Sequence, residues 1–211
     1  MRKVLFVTFL LISVFQLKAQ YPGYSPIADA AKFKEQFSAA SLKTNSLKSD
    51  FVQEKNLSML SEKIVSKGKF WFKKSNKVRM EYNHPFQYLM IINQDKVYIK
   101  DGQKENKMSS KSNKLFQQIN RIMVDCMQGT ALNNTDFKTR LFEGKSAYLV
   151  ELTPVVKGMR EMFKTITVYV DKKDFSVMNL EMLELGGDNT VIRFINKELN
   201  TTLADTLFDT K

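Results

Sequence analysis

The chain has 211 residues and a formal net charge of +11, with 33 Lys and Arg against 22 Asp and Glu. It contains one Cys, Cys126, and one His, His84, so no internal disulfide can form and a metal site built from clustered His and Cys is not expected. We therefore predict no metal and no cofactor. The excess of positive charge favours anionic partners.

The N-terminal residues have the pattern of a secretory signal. Arg2 and Lys3 precede an apolar run that is followed by a small residue, Ala19. The run of about 12 residues is shorter than the roughly 20 that a membrane-spanning helix needs. We predict a signal peptide at 1–19, cleaved after about Ala19, and one domain at 20–211. Export argues against nucleic acid as a partner, so we expect anionic lipids or acidic protein surfaces instead.

Apolar periodicity predicts a mainly β protein with a few amphipathic helices. About ten or eleven short antiparallel strands suit an unclosed antiparallel β-barrel or a curved sheet. The apolar faces of the helices must be covered, and the concave face of the sheet is the natural cover, so we expect the helices to pack there. The predicted elements are a helix at 29–42, strands between 47 and 109, a helix at 113–128, strands between 136 and 195 with a helical turn near 157–163, and a strand-like tail at 198–208.

Residues typical of catalytic sites do not form a plausible set. The sequence has no G-x-S-x-G, no Walker loop and no G-x-G-x-x-G. Ser66 and Lys69, like Glu181 and Glu184, are three residues apart on predicted strands, so their side chains point to opposite faces. We therefore predict that the protein is not an enzyme.

Flexible and aromatic apolar residues are abundant, with 16 Phe and 11 Met. Met adapts its shape to varied apolar partners, so such a composition suits a surface that accepts flexible ligands. Ordinary packing of the protein core is the alternative explanation of the same composition.

Residues 68–82, GKFWFKKSNKVRMEY, resemble the Gly-x-hydrophobic-Trp-hydrophobic-Lys-Arg-Pro-Asn hairpin of the LolA family of periplasmic outer-membrane lipoprotein carriers. Phe51-Val52-Gln53 resembles the family's Phe-x-Gln strand, and residues 148–154, YLVELTP, resemble its Leu-x-Pro strand. Pro85 and Asp101-Gly102 follow the hairpin as they do in the family. The resemblance covers about residues 29–208.

The resemblance implies an unclosed antiparallel β-barrel with an α lid, formed by amphipathic helices, over an apolar cavity. It further implies a monomeric periplasmic carrier whose cavity holds the acyl chains of lipoproteins. Such a carrier takes its cargo from an inner-membrane ABC-type transporter and passes it to an outer-membrane receptor. The alternatives are a carrier of the same fold for another lipid or glycolipid, and a lipid-sensing regulatory protein. A carrier is needed because each buried methylene contributes about 0.8 kcal/mol, which makes desorption of an acyl chain through water very slow.

The resemblance also assigns residues. The family's lid-holding Arg falls on Lys74, the next Pro on Ser75, a transfer-sensitive aromatic on Val78 and a neighbouring Trp on Met80. Lys74 keeps the charge but not the planar donor fork of Arg. Arg79 is expected at the rim, where it contacts the lid, or on the opposite face. The residues expected to line the cavity are Phe70, Phe72, Val78, Met80, Tyr82, Leu89, Ile91, Leu115, Phe116, Ile119 and Met123.

Overall fold

The computed structural model describes residues 21–60, 62–94, 96–109, 122 and 124–210. The predicted signal peptide lies outside these residues, as does most of the helix predicted at 113–128. Residues 124–128 are helical, as that prediction requires.

Twelve strands of the described chain form one antiparallel sheet. The order across the sheet is β1-β8-β9-β10-β11-β12-β2-β3-β4-β5-β6-β7, so β1 and β7 are its two edges and the sheet does not close on itself. The mainly β, unclosed fold predicted from the sequence is confirmed. The strands are β1 (Tyr24–Pro26), β2 (Ser46–Leu57), β3 (Glu62–Lys73), β4 (Lys77–His84), β5 (Tyr88–Asn93), β6 (Lys96–Asp101), β7 (Lys104–Ser109), β8 (Phe137–Gly144), β9 (Ala147–Pro154), β10 (Phe163–Asp171), β11 (Val177–Glu184) and β12 (Asn189–Leu199).

Helix α1 (Ala30–Lys43) begins where the sequence predicts it. The Asp29 side chain accepts a hydrogen bond from the Lys32 backbone N–H at 2.9 Å, which is a standard N-cap. Phe33 and Phe37, one turn apart, are both buried against the sheet. The described residues also contain the one-turn helix Lys157–Arg160 and the 3-10 turns Thr130–Asn133 and Asp205–Phe208.

Two chain segments differ from the prediction. Residues Tyr24–Pro26, which precede the first element predicted from the sequence, form β1 because they pair with the end of β8, with Tyr24 opposite Gly144. The tail predicted as a strand to Phe208 leaves the sheet after Leu199 and ends in the 3-10 turn. Short strands and tails carry too few alternating residues for the pattern to decide between strand and irregular structure.

The sheet has an apolar cluster on each face. The larger one lies on the face that α1 covers, which we call the inner face, and it includes Phe51, Phe70 and Phe194. The smaller one is on the opposite, outer face and consists of Ile91, Leu203 and Phe208, with Trp71 and Tyr98 packed against them. The segment after β12 therefore covers the outer face of β3 to β6.

The start of the described chain is fastened to the outer face of β8 to β10. The Tyr21 hydroxyl donates a hydrogen bond to Glu151 at 2.6 Å, and Arg140 also binds this buried carboxylate. Burial, together with the bond to Glu151, raises the pKa of Tyr21 to about 12. Glu151 is thus a buried charge with a charged partner, as burial requires.

Candidate functional site

The inner face of the β3–β4 hairpin carries five of the predicted cavity residues. Phe70 lies opposite Met80 and Phe72 opposite Val78 in the strand register, and all four side chains are at most 2% exposed. Burial of such a side chain contributes about 1.5–3 kcal/mol relative to exposure, so this surface is a main source of stability. Tyr82 packs at the edge of the same cluster.

Tyr82 adds one polar group to this apolar face. Its hydroxyl donates a hydrogen bond to the side-chain oxygen of Gln53 at 2.9 Å, and its ring meets Phe51 edge to face at 4.9 Å. Burial raises the pKa of Tyr82, so the phenol stays protonated at neutral pH.

Gly68 allows Phe51 to lie against the β3–β4 hairpin. A Cβ atom at Gly68 would lie 2.0 Å from the carbonyl oxygen of Glu81 and 2.7 Å from Cε1 of Phe51. The ring of Phe51 therefore occupies the space that any other side chain would need. The close approach of this ring and of the Glu81 backbone is the physical reason for Gly at the first position of the hairpin motif.

Leu89 and Ile91 do not line the inner face, so that prediction is wrong. Ile91 lies opposite Arg79 and is part of the outer-face cluster, against which Leu89 also packs. The inner-face residues of β5 are instead Met90 and Ile92. The register explains the difference: the β4–β5 connection is centred on Pro85, so Met80 pairs with Met90 and Arg79 with Ile91.

Helix α1 and residues 124–128 together cover one end of the inner face. Ser41 of α1 lies against Gly129, whose φ of +71° ends the helical segment. The space left between these elements and strands β2, β3 and β11 is only about 20 Å³, room for about one water molecule. Cys126, which borders this space, is buried, and burial raises the pKa of its thiol. At this end of the inner face the covering elements leave no room for an acyl chain.

Lys74 ties the β3–β4 turn to the end of α1. Its ammonium group donates a hydrogen bond to the carbonyl oxygen of Leu42, and its backbone N–H donates to the carbonyl of Asn45 at 2.9 Å. Carbonyls in the last turn of a helix have no partner within the helix, and a cation there also favours the helix dipole. Ser75 follows with φ of +71°, which Pro cannot adopt. The conformation of this turn therefore requires a residue other than the Pro that the family motif has here.

Asn76, in the same turn, contacts the second covering segment. Its side-chain oxygen accepts a hydrogen bond from the Gln128 side chain at 3.3 Å, and its carbonyl accepts from the Gln94 backbone N–H at 3.1 Å. The β3–β4 turn therefore touches both elements that cover the interior. The sequence gives no signal for the Asn76–Gln128 contact because the two residues are 52 positions apart.

Arg79 lies on the outer face and does not contact α1. Its guanidinium donates to Glu81 at 2.8 Å and to the Leu207 carbonyl at 3.1 Å, and it stacks over the ring of Trp71. It therefore holds the C-terminal segment, and of the two positions considered for it the opposite face is correct. The reason is strand alternation, since Val78 and Met80 on either side of it face inward.

Two of the lysines near the β3–β4 turn also bind the C-terminal segment. Lys73 and Lys77 contact one oxygen of Asp205 at 2.9 and 2.7 Å. These hydrogen bonds, with Lys77 the stronger partner, lower the pKa of Asp205 to about 2. The Lys73 ammonium also donates to the carbonyl of Leu203 at 2.8 Å.

Four predicted cavity residues of the second helix, Leu115, Phe116, Ile119 and Met123, lie outside the described residues. Ile122 and Cys126 of that helix are buried in the inner-face cluster. Within the described part of the chain, no group of three or more His, Cys, Asp or Glu side chains could hold a metal ion. No helix among the described residues is both long and apolar enough to span a membrane.

Solved structures with a similar fold are distant in sequence. An uncharacterized conserved protein from Thermus thermophilus matches with a TM-score of 0.53 and 10% identity over 85% of this chain and 93% of its own. The Pseudomonas aeruginosa MucA/MucB complex matches with a TM-score of 0.51 and 15% identity over 85% of this chain and 60% of its own. A LolA superfamily protein from Nitrosomonas europaea matches with a TM-score of 0.45 and 10% identity, over 87% and 98%.

No curated protein matches the chain. Residues 42–211 match the profile of the family described as outer membrane lipoprotein carrier protein LolA. This match includes every strand after β1 and the turn that carries Lys74. The chain belongs to the LolA family.

Proposed function

We propose that this protein is a periplasmic carrier that binds the acyl chains of lipoproteins on its inner face and shuttles them from the inner to the outer membrane. The observation that carries the proposal is an apolar inner face covered by α1 and residues 124–128, both of which contact a single turn through Lys74 and Asn76. The family match over 42–211 supports the same function.

Binding beside Cys126 requires a change of conformation. The space there, about 20 Å³, holds one water molecule and cannot hold an acyl chain, so a chain that binds at this end must displace α1 or residues 124–128 from the sheet. A chain of about fifteen methylenes gains on the order of 12 kcal/mol by leaving water. That gain can offset the free energy lost when the covering elements leave the sheet. Each hydrogen bond that holds them is weak enough to break separately.

Carriage of this kind needs no chemical step, and we infer that the protein is not an enzyme. Its partners are the lipoprotein acyl chains, an inner-membrane ABC-type transporter that loads them and an outer-membrane receptor. Secretion through a signal peptide at 1–19 and a monomeric domain at 20–211 complete this proposal.

Native mass spectrometry of the protein purified from the periplasm tests the function. Co-purified lipoprotein, released together with its acyl chains on unfolding, supports the lipoprotein carrier. A bound phospholipid or glycolipid without protein cargo supports the carrier of another lipid. Protein that stays free of lipid after incubation with membranes rich in lipoproteins contradicts both.

A regulatory role is the second candidate, favoured by one comparison. MucB of Pseudomonas aeruginosa, which was solved in complex with MucA, shares the fold with a TM-score of 0.51. If this chain works as a lipid-sensing regulatory protein, it binds a protein partner, as MucB binds MucA in that complex. The same mass spectra would then show a stoichiometric protein partner without acyl chains.

A further inference from the structure

Three connections meet at the end of the sheet away from the β3–β4 turn. The Ser58 hydroxyl, between β2 and β3, donates to the carbonyl of Gly186, between β11 and β12, at 3.0 Å. The backbone N–H of Leu185 donates to the carbonyl of Met162 at 2.9 Å, which adds the β9–β10 connection. These bonds hold the three connections side by side.

Large apolar side chains are exposed at this end. Met59 is 93% exposed and Leu60 is 64% exposed in the β2–β3 connection. Val155 and Leu185, from the other two connections, are each 48% exposed. Exposed apolar residues are ordinary when scattered, but here three connections that are bonded together all present them.

One of these connections also carries a buried methionine. Met159, on the one-turn helix Lys157–Arg160, is 1% exposed and belongs to the inner-face cluster. Val156 and Met162, on either side of it, are partly buried and pack against the same cluster. The β9–β10 connection therefore carries apolar side chains both at the surface, at Val155, and in the inner-face cluster, at Met159.

The segment that carries Met159 is weakly held. Its helix has no side-chain N-cap and contains Gly158, a poor helix former. Its ion pair, Lys157 with Glu161 at 3.9 Å, is exposed and contributes little. Among the described residues, its backbone bonds to other parts of the fold are at its two ends, Val155 N–H to the Asp136 carbonyl and Leu185 N–H to the Met162 carbonyl.

We propose that residues 155–162 form a gate through which an acyl chain enters the interior, with Met159 as the side chain it displaces. The proposal rests on the carrier function above. Met suits this role because it repacks at low cost. The gate segment and the start of β10 carry three exposed basic residues, Lys157, Arg160 and Lys164, and one acidic residue, Glu161. This excess of positive charge would attract the anionic headgroup of the lipid.

Stopped-flow uptake of cis-parinaric acid, a fluorescent fatty acid, tests the gate. Gly158 lacks a positive φ, so Gly158→Ala favours the closed helix, and we expect uptake to slow by about two- to five-fold. Gly186→Ala is the matched control, because a Cβ there meets no atom within 4 Å and its uptake rate should be unchanged. Equal rates for both variants and the wild type, or equal slowing of both, overturn the gate.

The headgroup site has its own comparison. Replacing Lys157 and Arg160 by Gln should slow the uptake of cis-parinaric acid but leave that of its uncharged methyl ester unchanged, and an equal effect on both probes contradicts the headgroup placement. Equilibrium titration of the wild type separates the gate from the function beneath it. If the wild type binds the probes but Gly158→Ala does not change the rate of uptake, the gate proposal alone is wrong. If the wild type binds neither probe, the carrier function and the gate proposal are both wrong.

Discussion

The ammonium group of Lys74 donates a hydrogen bond to the carbonyl oxygen of Leu42 in the last turn of α1. The family position of a lid-holding Arg thus carries a Lys that still reaches the covering helix. A Lys makes this contact as a point charge on a flexible stem, without the second parallel hydrogen bond that a guanidinium can form. We therefore expect the covering helix to be held more loosely than an Arg would hold it.

Lys74→Ala should loosen the end of α1 and speed the release of bound lipid. Loss of a hydrogen bond from a charged donor that is partly exposed costs about 1 kcal/mol, or about five-fold in the opening equilibrium. Hydrogen exchange of the amides in residues 40–44 measures this opening, and the fluorescence decay of displaced cis-parinaric acid measures release. Lys74→Arg should slow both.

Lys69→Ala is the control for this charge, because Lys69 is exposed on β3 and points to the outer face. It should leave hydrogen exchange in α1 and lipid release unchanged. If Lys74→Ala and Lys69→Ala give the same hydrogen exchange and the same lipid release, Lys74 does not hold α1 in place.

Gly68→Ala should destabilise the protein by about 1–3 kcal/mol, the usual cost of an overpacked core. The new methyl group would meet the backbone of Glu81 and the ring of Phe51, and the backbone cannot move without disturbing the β3–β4 register. Urea unfolding followed by circular dichroism measures the change. Gly186→Ala, with open space around it, should shift the midpoint little, and equal shifts would show that the contact at Gly68 is not the cause.

The Asp205 ion pairs should stabilise the fold in a pH-dependent way. The pKa of Asp205 is about 2 in the folded protein against an ordinary value of 3.8, so the stabilisation is complete above pH 3.8 and is lost as the pH falls towards 2. Asp205→Asn lacks it at every pH. The difference in unfolding free energy between wild type and variant, followed through Trp71 fluorescence, should therefore shrink below about pH 4. A difference that stays constant down to pH 2 contradicts these ion pairs.

Arg79→Ala should release the C-terminal segment without changing the interior. The Leu207 carbonyl would lose its charged donor, and we expect a loss of about 1–3 kcal/mol with faster hydrogen exchange in residues 203–209. The affinity for cis-parinaric acid should stay that of the wild type, because Arg79 is on the outer face. Arg193→Ala, which breaks an exposed ion pair with Glu54, is the control and should cost at most about 1 kcal/mol. A lower lipid affinity in Arg79→Ala alone would place Arg79 at the lipid site after all.

Local pattern was enough for most of the fold. Alternation in β3 and β4 assigned Phe70, Phe72, Val78 and Met80 to one face, and the capping residue Asp29 marked the start of α1. Such features depend only on neighbours in the sequence, which is why they can be read without the structure.

Contacts between distant segments could not be predicted. Leu89 and Ile91 are apolar because the C-terminal segment covers them, and no local pattern separates that cover from an interior cavity. The contact of Arg79 with Leu207 could not be predicted either, because the two residues are 128 positions apart. Met159 is buried although it lies on a short segment whose pattern does not distinguish helix from loop. Because this sheet has an apolar cluster on each face, an apolar side chain on a strand does not by itself show which face it lies on.

Photolabelling with a diazirine-bearing fatty acid tests whether lipid binds on the inner face of the sheet, on which the carrier function depends. Tandem mass spectrometry of the digested protein locates the modified residues. We predict insertion at Phe51, Met80 and Ile92, which share the inner face, in the wild type and in Arg79→Ala alike. Insertion confined to Leu89, Ile91 and Leu203 would place the lipid on the outer face and contradict inner-face binding.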